Sequence, residues 1–259
     1  MNINIGGLSD IGCSRDENQD AIDWYSLPAQ QFAYLIVADG MGGYTGGAIA
    51  SQLAVAAIGA ELKRLPHDPA FAMIADPVID PAAAALLQST LERALGDAHR
   101  RILDEKSRYR ELAQMGTTIV AAVLWRGIAV VAHVGDSRAY LWRDQRLTQI
   151  TRDHSLVQEL LDSGALSVAD AESRAPRNVL TRALGVDAAV PDCNQLALQA
   201  GTVLLLCSDG LTGRVGDAAL AQELAQNLPA LESCYRLVHL ANDLGGQDNI
   251  SVVIAEISH

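Results

Sequence analysis

Five aspartates, far apart in the chain, stand at the ends of short apolar runs that resemble β-strands. Two of these runs, residues 34–40 and 203–210, end in the dipeptide Asp-Gly. Carboxylates that converge repel one another, so a fold gathers them only where hard cations such as Mg²⁺ or Mn²⁺, which prefer oxygen ligands, neutralise their charge. The pattern predicts a metal-dependent reaction at phosphate. The five aspartates are Asp20, Asp39, Asp136, Asp209 and Asp248.

A single Asp-Gly after a buried strand is ambiguous, because the same dipeptide makes ordinary turns. Several of them, each preceded by an apolar run, favour a shared site. Glycine lets the backbone approach a cation closely, and its carbonyl oxygen can serve as a further ligand. The spacing excludes an EF-hand, whose ligands lie within twelve residues. Only the folded chain can bring these side chains together.

The composition fits one domain, residues 1–259, with a core built mainly from aliphatic side chains. Hydrophobic residues make up 49% of the chain and aromatic residues only 4%. A formal net charge of −12 argues against nucleic acid or an anionic membrane as the main partner. The four cysteines lack paired spacing, and the first residues lack a basic, apolar leader. We therefore expect a protein of the reducing cytoplasm that does not span a membrane.

Strand-like runs alternate with pairs of amphipathic helices, which predicts an α+β fold with antiparallel sheets covered by helices. The proline-rich segment between the first two helices is expected to be a loop, and Gly201 is expected to form a hairpin. The uncharged run 40–60 predicts a glycine-rich turn followed by a helix. Strands are predicted over 3–8, 21–25, 32–38, 117–125, 128–134, 138–142, 196–206 and 250–257, and helices over 47–65, 81–108, 156–161, 217–227 and 231–244.

Arg15 lies beside an acidic segment and is a candidate for binding a phosphate, since the guanidinium group matches phosphate with two hydrogen bonds. Alternatively it is an ordinary surface charge. The chain has no Gly-x-x-x-x-Gly-Lys loop, no Gly-x-Ser-x-Gly elbow and no Cys-x-x-x-x-x-Arg loop. We expect His133 to be a packed core residue, His154 to cap a helix or shape the edge of the site, and Ser155 to be an N-cap.

Eight motifs, in this order, resemble those of the PP2C-type, or PPM, metal-dependent protein phosphatases, and in particular their compact bacterial branch. The resemblance covers residues 10 to 256. The motifs are Arg15-x-x-Asn18-Gln19-Asp20, Asp39-Gly40-Met41-Gly42-Gly43, Gly116-Thr117-Thr118, Val134-Gly135-Asp136-Ser137-Arg138, residues 147–155, residues 178–185, Ser208-Asp209-Gly210-Leu211 and Gly246-Gln247-Asp248-Asn249.

The resemblance implies a four-layer α-β-β-α sandwich of two antiparallel sheets flanked by helix pairs. It also implies two Mn²⁺ or Mg²⁺ ions, with a third-metal site formed by Asp136 and Asp209. Asp39 should bridge two ions, and the carbonyl of Gly40 should bind one of them. Asp209 and Asp248 should complete the other ion, Asp20 should act through metal-bound water, and Arg15 should bind phosphate. Residues 156–177 correspond to a mobile flap beside the site.

Two positions depart from the pattern of the family. Gln19 stands where the family often has Glu, and Met41 stands where many eukaryotic members have a His proposed as general acid. Bacterial relatives commonly share both features, so we still expect activity. The departures leave protonation of the leaving group to a metal-bound water.

The expected function is hydrolysis of phosphoserine and phosphothreonine in proteins by a metal-bridged hydroxide. The enzyme would act as a monomer and oppose a bacterial eukaryotic-like Ser/Thr kinase, which could itself be a substrate. Two alternatives remain open at this point. The chain could be a catalytically weak relative that binds phosphoproteins as a regulator, or a phosphatase of an anti-sigma-factor antagonist.

Overall fold

The computed structural model describes residues 1–43, 45–74, 81–167, 179–186 and 189–258. Within these ranges the chain forms eleven strands and seven α-helices. The strands are β1 (Asn2–Asp10), β2 (Asp20–Leu27), β3 (Phe32–Met41), β4 (Gly116–Thr117), β5 (Ile119–Trp125), β6 (Ile128–Val134), β7 (Arg138–Arg143), β8 (Arg146–Gln149), β9 (Asp192–Ala197), β10 (Val203–Cys207) and β11 (Ile250–Ser258). The helices are α1 (Gly46–Leu62), α2 (Pro69–Met73), α3 (Pro81–Arg108), α4 (Leu156–Asp162), α5 (Asp209–Thr212), α6 (Asp217–Leu224) and α7 (Ala230–Asp243).

The strands form two antiparallel sheets. The first sheet has the order β1-β11-β10-β7-β8, and the second has the order β2-β3-β5-β6-β9, with the short strand β4 paired to β3. The chain therefore passes repeatedly between the sheets, and strands that are distant in sequence become neighbours. One such pair is β1 and β11, from the two ends of the chain, which are in register from Asn2 opposite Ser258 to Asp10 opposite Ile250.

Three apolar clusters define four layers. The central cluster lies between the sheets and joins residues such as Leu35 and Val37 of β3 to Leu204 and Leu206 of β10. On the outer face of the second sheet, α1 and α3 bury their apolar sides. On the outer face of the first sheet, α6 and α7 do the same. The predicted α-β-β-α sandwich of two antiparallel sheets is confirmed.

Strand β3 lies in the middle of this arrangement and is covered on both faces. Every residue from Phe32 to Ala38 is fully buried. Alternate side chains point to different layers, since Tyr34 and Ile36 belong to the outer cluster and Leu35 and Val37 to the central one. This double burial explains why the strand reads as a continuous apolar run. It also holds the end of the strand, where Asp39 lies, on a rigid element.

Two predictions, one about a hairpin and one about a loop, were wrong. Gly201 does not form a hairpin, because β9 pairs with β6 in the second sheet whereas β10 pairs with β7 and β11 in the first. Its positive φ of +85° turns the chain from one sheet to the other. The proline-rich segment is not only loop, because it contains α2, whose first turn is capped by Asp68 accepting from the amide of Ala70 at 2.8 Å.

The predicted glycine-rich turn and helix in the uncharged run 40–60 are confirmed by α1, which begins at Gly46. Eleven of its residues are buried against β3 and α3, which explains the lack of charge. In the part of the chain that the structure describes, no helix is both long enough and apolar enough to cross a membrane.

Candidate metal centre

The five aspartates lie at one edge of the two sheets, two of them on the second sheet and two next to the first. Asp20 begins β2 and stands directly opposite Asp39, near the end of β3. Asp209 is the first residue of α5, just after β10, and Asp248 lies just before the neighbouring strand β11. Asp136 lies in the turn between β6 and β7. Residues separated by more than two hundred positions therefore meet, as the sequence predicts.

The backbone at this edge is so closely packed that it requires glycine. A Cβ atom on Gly210 would stand 2.0 Å from the carbonyl oxygen of Asn249, which holds the segment of Asp209 against that of Asp248. A Cβ atom on Gly40 would stand 2.1 Å from the carbonyl oxygen of Gly47. The Asp-Gly dipeptides are thus explained by contact between segments, in addition to any role of the Gly40 carbonyl as a ligand.

The carboxyl groups raise one another's pKa values. Burial raises the pKa of Asp20 to about 7, and the charges of Asp209 and Asp248 add to this effect. Burial followed by the charge of Asp209 raises the pKa of Asp136 to about 7. The pKa of Asp39 is raised well above its usual value by burial and by the charges of Asp20, Asp209 and Asp136. Such a cluster is costly unless a proton or a cation neutralises it.

Part of this negative charge is neutralised within the protein. Arg15 Nη2 lies 2.6 Å from Asp248 Oδ2, and this ion pair is partly exposed, with 55% and 38% of the two side chains accessible. The pair raises the pKa of Arg15. The carboxyl groups of Asp39 and Asp209 lie close enough to shift each other's pKa, and the pKa of Asp39 is raised well above its usual value. The predicted phosphate-binding arginine therefore reaches the acidic cluster.

Asn249 connects the segment that carries Arg15 and Asp20 to the segment that carries Asp248. Its amide oxygen accepts from the backbone of Gln19 at 2.8 Å, and its amide nitrogen donates to the carbonyls of Ile11 and Glu17 at 2.9 and 3.0 Å. The sequence placed Asn249 in a motif without giving it a role. Through these three hydrogen bonds, the buried side chain of Asn249 holds the segment of Arg15 and Asp20 against the segment of Asp248.

The backbone of Asp39 is held by two threonines that the sequence also placed in a motif without a role. The amide of Asp39 donates to Thr118 Oγ1 at 3.1 Å, and the carbonyl of Asp39 accepts from Thr117 Oγ1 and from the amide of Thr118, each at 2.9 Å. Thr118 Oγ1 lies 2.6 Å from Ser137 Oγ, next to Asp136. The hydroxyls thus connect the segments of two predicted ligands.

A partly buried ion pair behind Asp136 was not predicted. The guanidinium of Arg138 makes two parallel hydrogen bonds to the carboxylate of Asp153, at 2.8 and 2.7 Å. Arg138 also donates to the hydroxyl of Tyr140 at 3.1 Å. The charge of Asp153 raises the pKa of Asp136, whereas the charge of Arg138 lowers it. The pair fixes the turn that carries Asp136.

Two histidines stack beside the same turn. The rings of His133 and His154 lie 4.5 Å apart between centroids, and both side chains are buried. His154 Nδ1 accepts from the amide of Gly135 at 3.1 Å, so its Nε2 carries the proton when the ring is neutral. Burial lowers the pKa of both rings. His133 is thus a packed core residue, as predicted, and His154 lies against the turn that carries Asp136.

Ser155 is the N-cap of α4, as predicted, with its hydroxyl accepting from the amide of Gln158 at 3.3 Å. Helix α4 opens the segment 156–177, which the sequence assigned to a flap. Residues 168–177 of that segment lie outside the described residues, and the flap stays a prediction.

The chemistry of the donors fits divalent cations that prefer oxygen. Carboxylates from two sheets converge, and Asp20 Oδ1 is a buried oxygen without a hydrogen-bond partner in the described chain. In the described ranges, however, no three His, Cys, Asp or Glu side chains stand in position to hold a single ion. The side chains are engaged with one another instead. Asp248, for example, is paired with Arg15.

Comparison with known proteins agrees with this geometry. The family model described as protein phosphatase 2C matches residues 14–247. The chain is 35% identical to the serine/threonine phosphatase stp of Listeria innocua over 249 residues, which cover 96% of this chain and 93% of that protein. It is 34% identical to the protein phosphatase PhpP of Streptococcus pneumoniae over 257 residues, which cover 98% and 97% of the two chains.

A solved structure shows the same architecture with metal present. The catalytic domain of the serine/threonine protein phosphatase PstP, in complex with two manganese ions, matches with a TM-score of 0.81 and 33% identity, and the match covers 99% of each chain. The fold and the acidic edge thus define a metal-dependent protein phosphatase. This chain belongs to the protein phosphatase 2C family, as a bacterial-type PPM member.

Proposed function

We propose that the chain hydrolyses phosphoserine and phosphothreonine in proteins at two divalent cations held by the acidic edge, with Asp136 and Asp209 forming a third site. Membership of a family of metal-dependent serine/threonine phosphatases supports the reaction. One observation carries the assignment of the site. Aspartates from strands far apart in the sequence converge at one edge of both sheets, where neighbouring carboxylate charges help to raise the pKa values of Asp20, Asp39 and Asp136.

In this proposal Asp39, the carbonyl of Gly40, Asp209 and Asp248 would hold the cations. Asp20 would assist through water. The cations, Mn²⁺ or Mg²⁺, supply Lewis acidity that activates water and neutralises the phosphoryl oxygens. The threonines behind Asp39 and the glycine beside it fix the backbone of the bridging ligand before any cation arrives.

Arg15 is proposed to hold the phosphate of the substrate. Its side chain is 55% exposed and already reaches the acidic edge through Asp248. A guanidinium can exchange one oxyanion partner for another of the same geometry. If Asp248 held a cation, Arg15 would be free to donate its hydrogen bonds to the oxygens of a phosphoryl group instead.

The substrates are proposed to be phosphorylated proteins, including a Ser/Thr kinase that the enzyme opposes. The net charge of −12 disfavours nucleic acid as a partner. All of the proposed ligands come from one chain, which supports a monomer. Four free cysteines, two of them buried, support a reducing cytoplasm.

The test is dephosphorylation of a phosphothreonine peptide with Mn²⁺. We expect turnover that EDTA abolishes, and a loss of more than about a hundredfold in Asp39→Asn and in Asp209→Asn, because each removes a charged ligand. The matched control is Asp144→Asn, since Asp144 is 90% exposed in the turn between β7 and β8.

Circular dichroism should show that all three variants remain folded. Full activity in Asp39→Asn or Asp209→Asn would contradict the assignment of the site. A wild-type chain that binds the phosphopeptide without turnover would favour the regulator instead.

A further inference from the structure

The carboxylate of Asp20 is held from the opposite sheet. Asp20 belongs to β2 of the second sheet, and its Oδ2 accepts a hydrogen bond of 2.8 Å from the hydroxyl of Ser208, which follows β10 of the first sheet. Ser208 is fully buried and Asp20 is 8% exposed. A hydrogen bond from a hydroxyl to a buried carboxylate is among the stronger kinds, because water does not compete for either group.

This hydrogen bond is one link of a closed ring. The amide of Ser251 donates to Ser208 Oγ at 2.9 Å, and the hydroxyls of Ser251 and Ser9 lie 2.8 Å apart. Asn18 then donates to Ser9 Oγ at 2.9 Å and accepts from the amide of Asp20 at 3.1 Å. The ring thus starts and ends at Asp20 and passes through three strands of the chain's two sheets.

The protons of the ring fix the role of Ser208. A hydroxyl has one proton to donate. Ser208 Oγ accepts from the amide of Ser251. Its own proton is directed to Asp20, 2.8 Å away, because the other acceptor in reach, the carbonyl of Asn249, is farther away at 3.5 Å. The hydroxyl of Ser251 also lies close enough to lower the pKa of Asp20. The hydroxyl of Ser251 donates to Ser9 Oγ at 2.8 Å, which completes the ring.

We propose that Ser208, supported by Ser251, is a positioning residue that orients Asp20 for cation binding. With Oδ2 occupied by Ser208, the carboxylate keeps one orientation, and Oδ1, which has no partner in the described chain, is left for the cation site. This inference rests on the proposed function. Ser208 would touch neither cation nor substrate and would act only through Asp20.

A purely structural role is the alternative, since a buried hydroxyl needs a partner wherever it lies. The two roles differ in a double-mutant cycle. If Ser208 acts through Asp20, its removal matters only while the carboxylate is present. If Ser208 merely stabilises the fold, its removal has the same effect with or without the carboxylate.

The experiment measures Mn²⁺ binding by isothermal titration calorimetry on EDTA-stripped protein, and kcat and KM on a phosphothreonine peptide. In Ser208→Ala we expect Mn²⁺ affinity and kcat to fall about tenfold with little change in KM, as for the loss of a hydrogen bond to a charged group. In the Asp20→Asn background the same substitution should change Mn²⁺ affinity by less than about twofold.

Ser233→Ala is the matched control. Ser233 is a buried serine of α7 that donates to the carbonyl of Leu228 at 3.2 Å, away from the acidic edge. We expect its Mn²⁺ affinity and kcat to equal those of the wild type. Ser9→Ala, one hydrogen bond further along the ring, should give a smaller loss than Ser208→Ala and serves as the test if Ser208→Ala does not fold.

Equal losses from Ser208→Ala in the wild-type and Asp20→Asn backgrounds would overturn the positioning role while leaving the proposed function intact. So would unchanged Mn²⁺ affinity in a folded Ser208→Ala protein, or in Ser9→Ala if that is the variant tested. A wild-type chain that binds no Mn²⁺ and shows no turnover would instead overturn the proposed function itself.

Discussion

Removing one charge from the acidic edge should stabilise the metal-free protein at neutral pH. Asp136→Asn is the substitution that tests this most directly, because burial and the charge of Asp209 raise the pKa of Asp136 from its usual 3.8 to about 7. At about 1.36 kcal/mol for each unit of pKa, this rise corresponds to roughly 4 kcal/mol against the charged form. Since the side chain is partly exposed, solvent screening reduces the expected effect to roughly 2–3 kcal/mol.

The sign of the pH dependence follows from the raised pKa. The folded state binds this proton more tightly than the unfolded state, so the cost of the charge is complete above pH 7, declines as the pH falls through 7, and disappears below 3.8. In EDTA, Asp136→Asn should therefore be more stable than the wild type at pH 8, and the difference should shrink towards pH 4.

Urea unfolding at a series of pH values measures this difference. Asp144→Asn, at an exposed turn, should show no such pH dependence. Excess Mn²⁺ should remove or reverse the advantage of Asp136→Asn, because a bound cation neutralises the charge that the substitution removes. A variant that is no more stable than the wild type at pH 8 in EDTA would refute the argument that the carboxylates strain the metal-free site.

Two further substitutions probe the supports of the site. Asp153→Asn leaves the guanidinium of Arg138 without its paired carboxylate, and urea unfolding should show a loss of about 2–4 kcal/mol, against less than about 1 kcal/mol for the exposed Asp144→Asn. Gly40→Ala should lower both stability and Mn²⁺ affinity, because its Cβ would overlap the carbonyl of Gly47, whereas Gly96→Ala in α3 should stabilise the helix by about 0.5–1 kcal/mol. Equal stabilities within either pair would contradict the prediction.

Much of the fold could be predicted because the ends of many helices and strands are set by nearby residues such as proline and glycine. The bounds of α3 (Pro81–Arg108) and β6 (Ile128–Val134) agree with the prediction residue for residue, since proline begins the helix and Gly127 and Gly135 flank the strand. The partner of β9 could not be predicted in this way. A glycine turn such as that at Gly201 serves a hairpin and a passage between sheets equally well.

The same distinction, between features marked by nearby residues and contacts made only in the folded chain, applies to the acidic edge. The Asp-Gly dipeptides predicted that Asp39 and Asp209 lie together, because an apolar strand that ends in a carboxylate can be recognised within a few residues. The supporting contacts depend on side chains that meet only after folding, such as Ser208 with Asp20 across 188 positions. Arg138 was visible within a motif, yet its pairing with Asp153 depends on the turn that returns the chain to β7.

The apolar layer between the sheets has a consequence for catalysis. The proposed ligands Asp20 and Asp39 stand on one side of that layer, and Asp209 and Asp248 stand on the other. The small and branched side chains of this layer, such as Val37, set the distance between the two sheets and therefore the distance between the two pairs of ligands. Enlarging or shrinking such a side chain would change the geometry of the ligands without touching any of them. A volume change deep in the sandwich should therefore appear in an assay as altered metal preference.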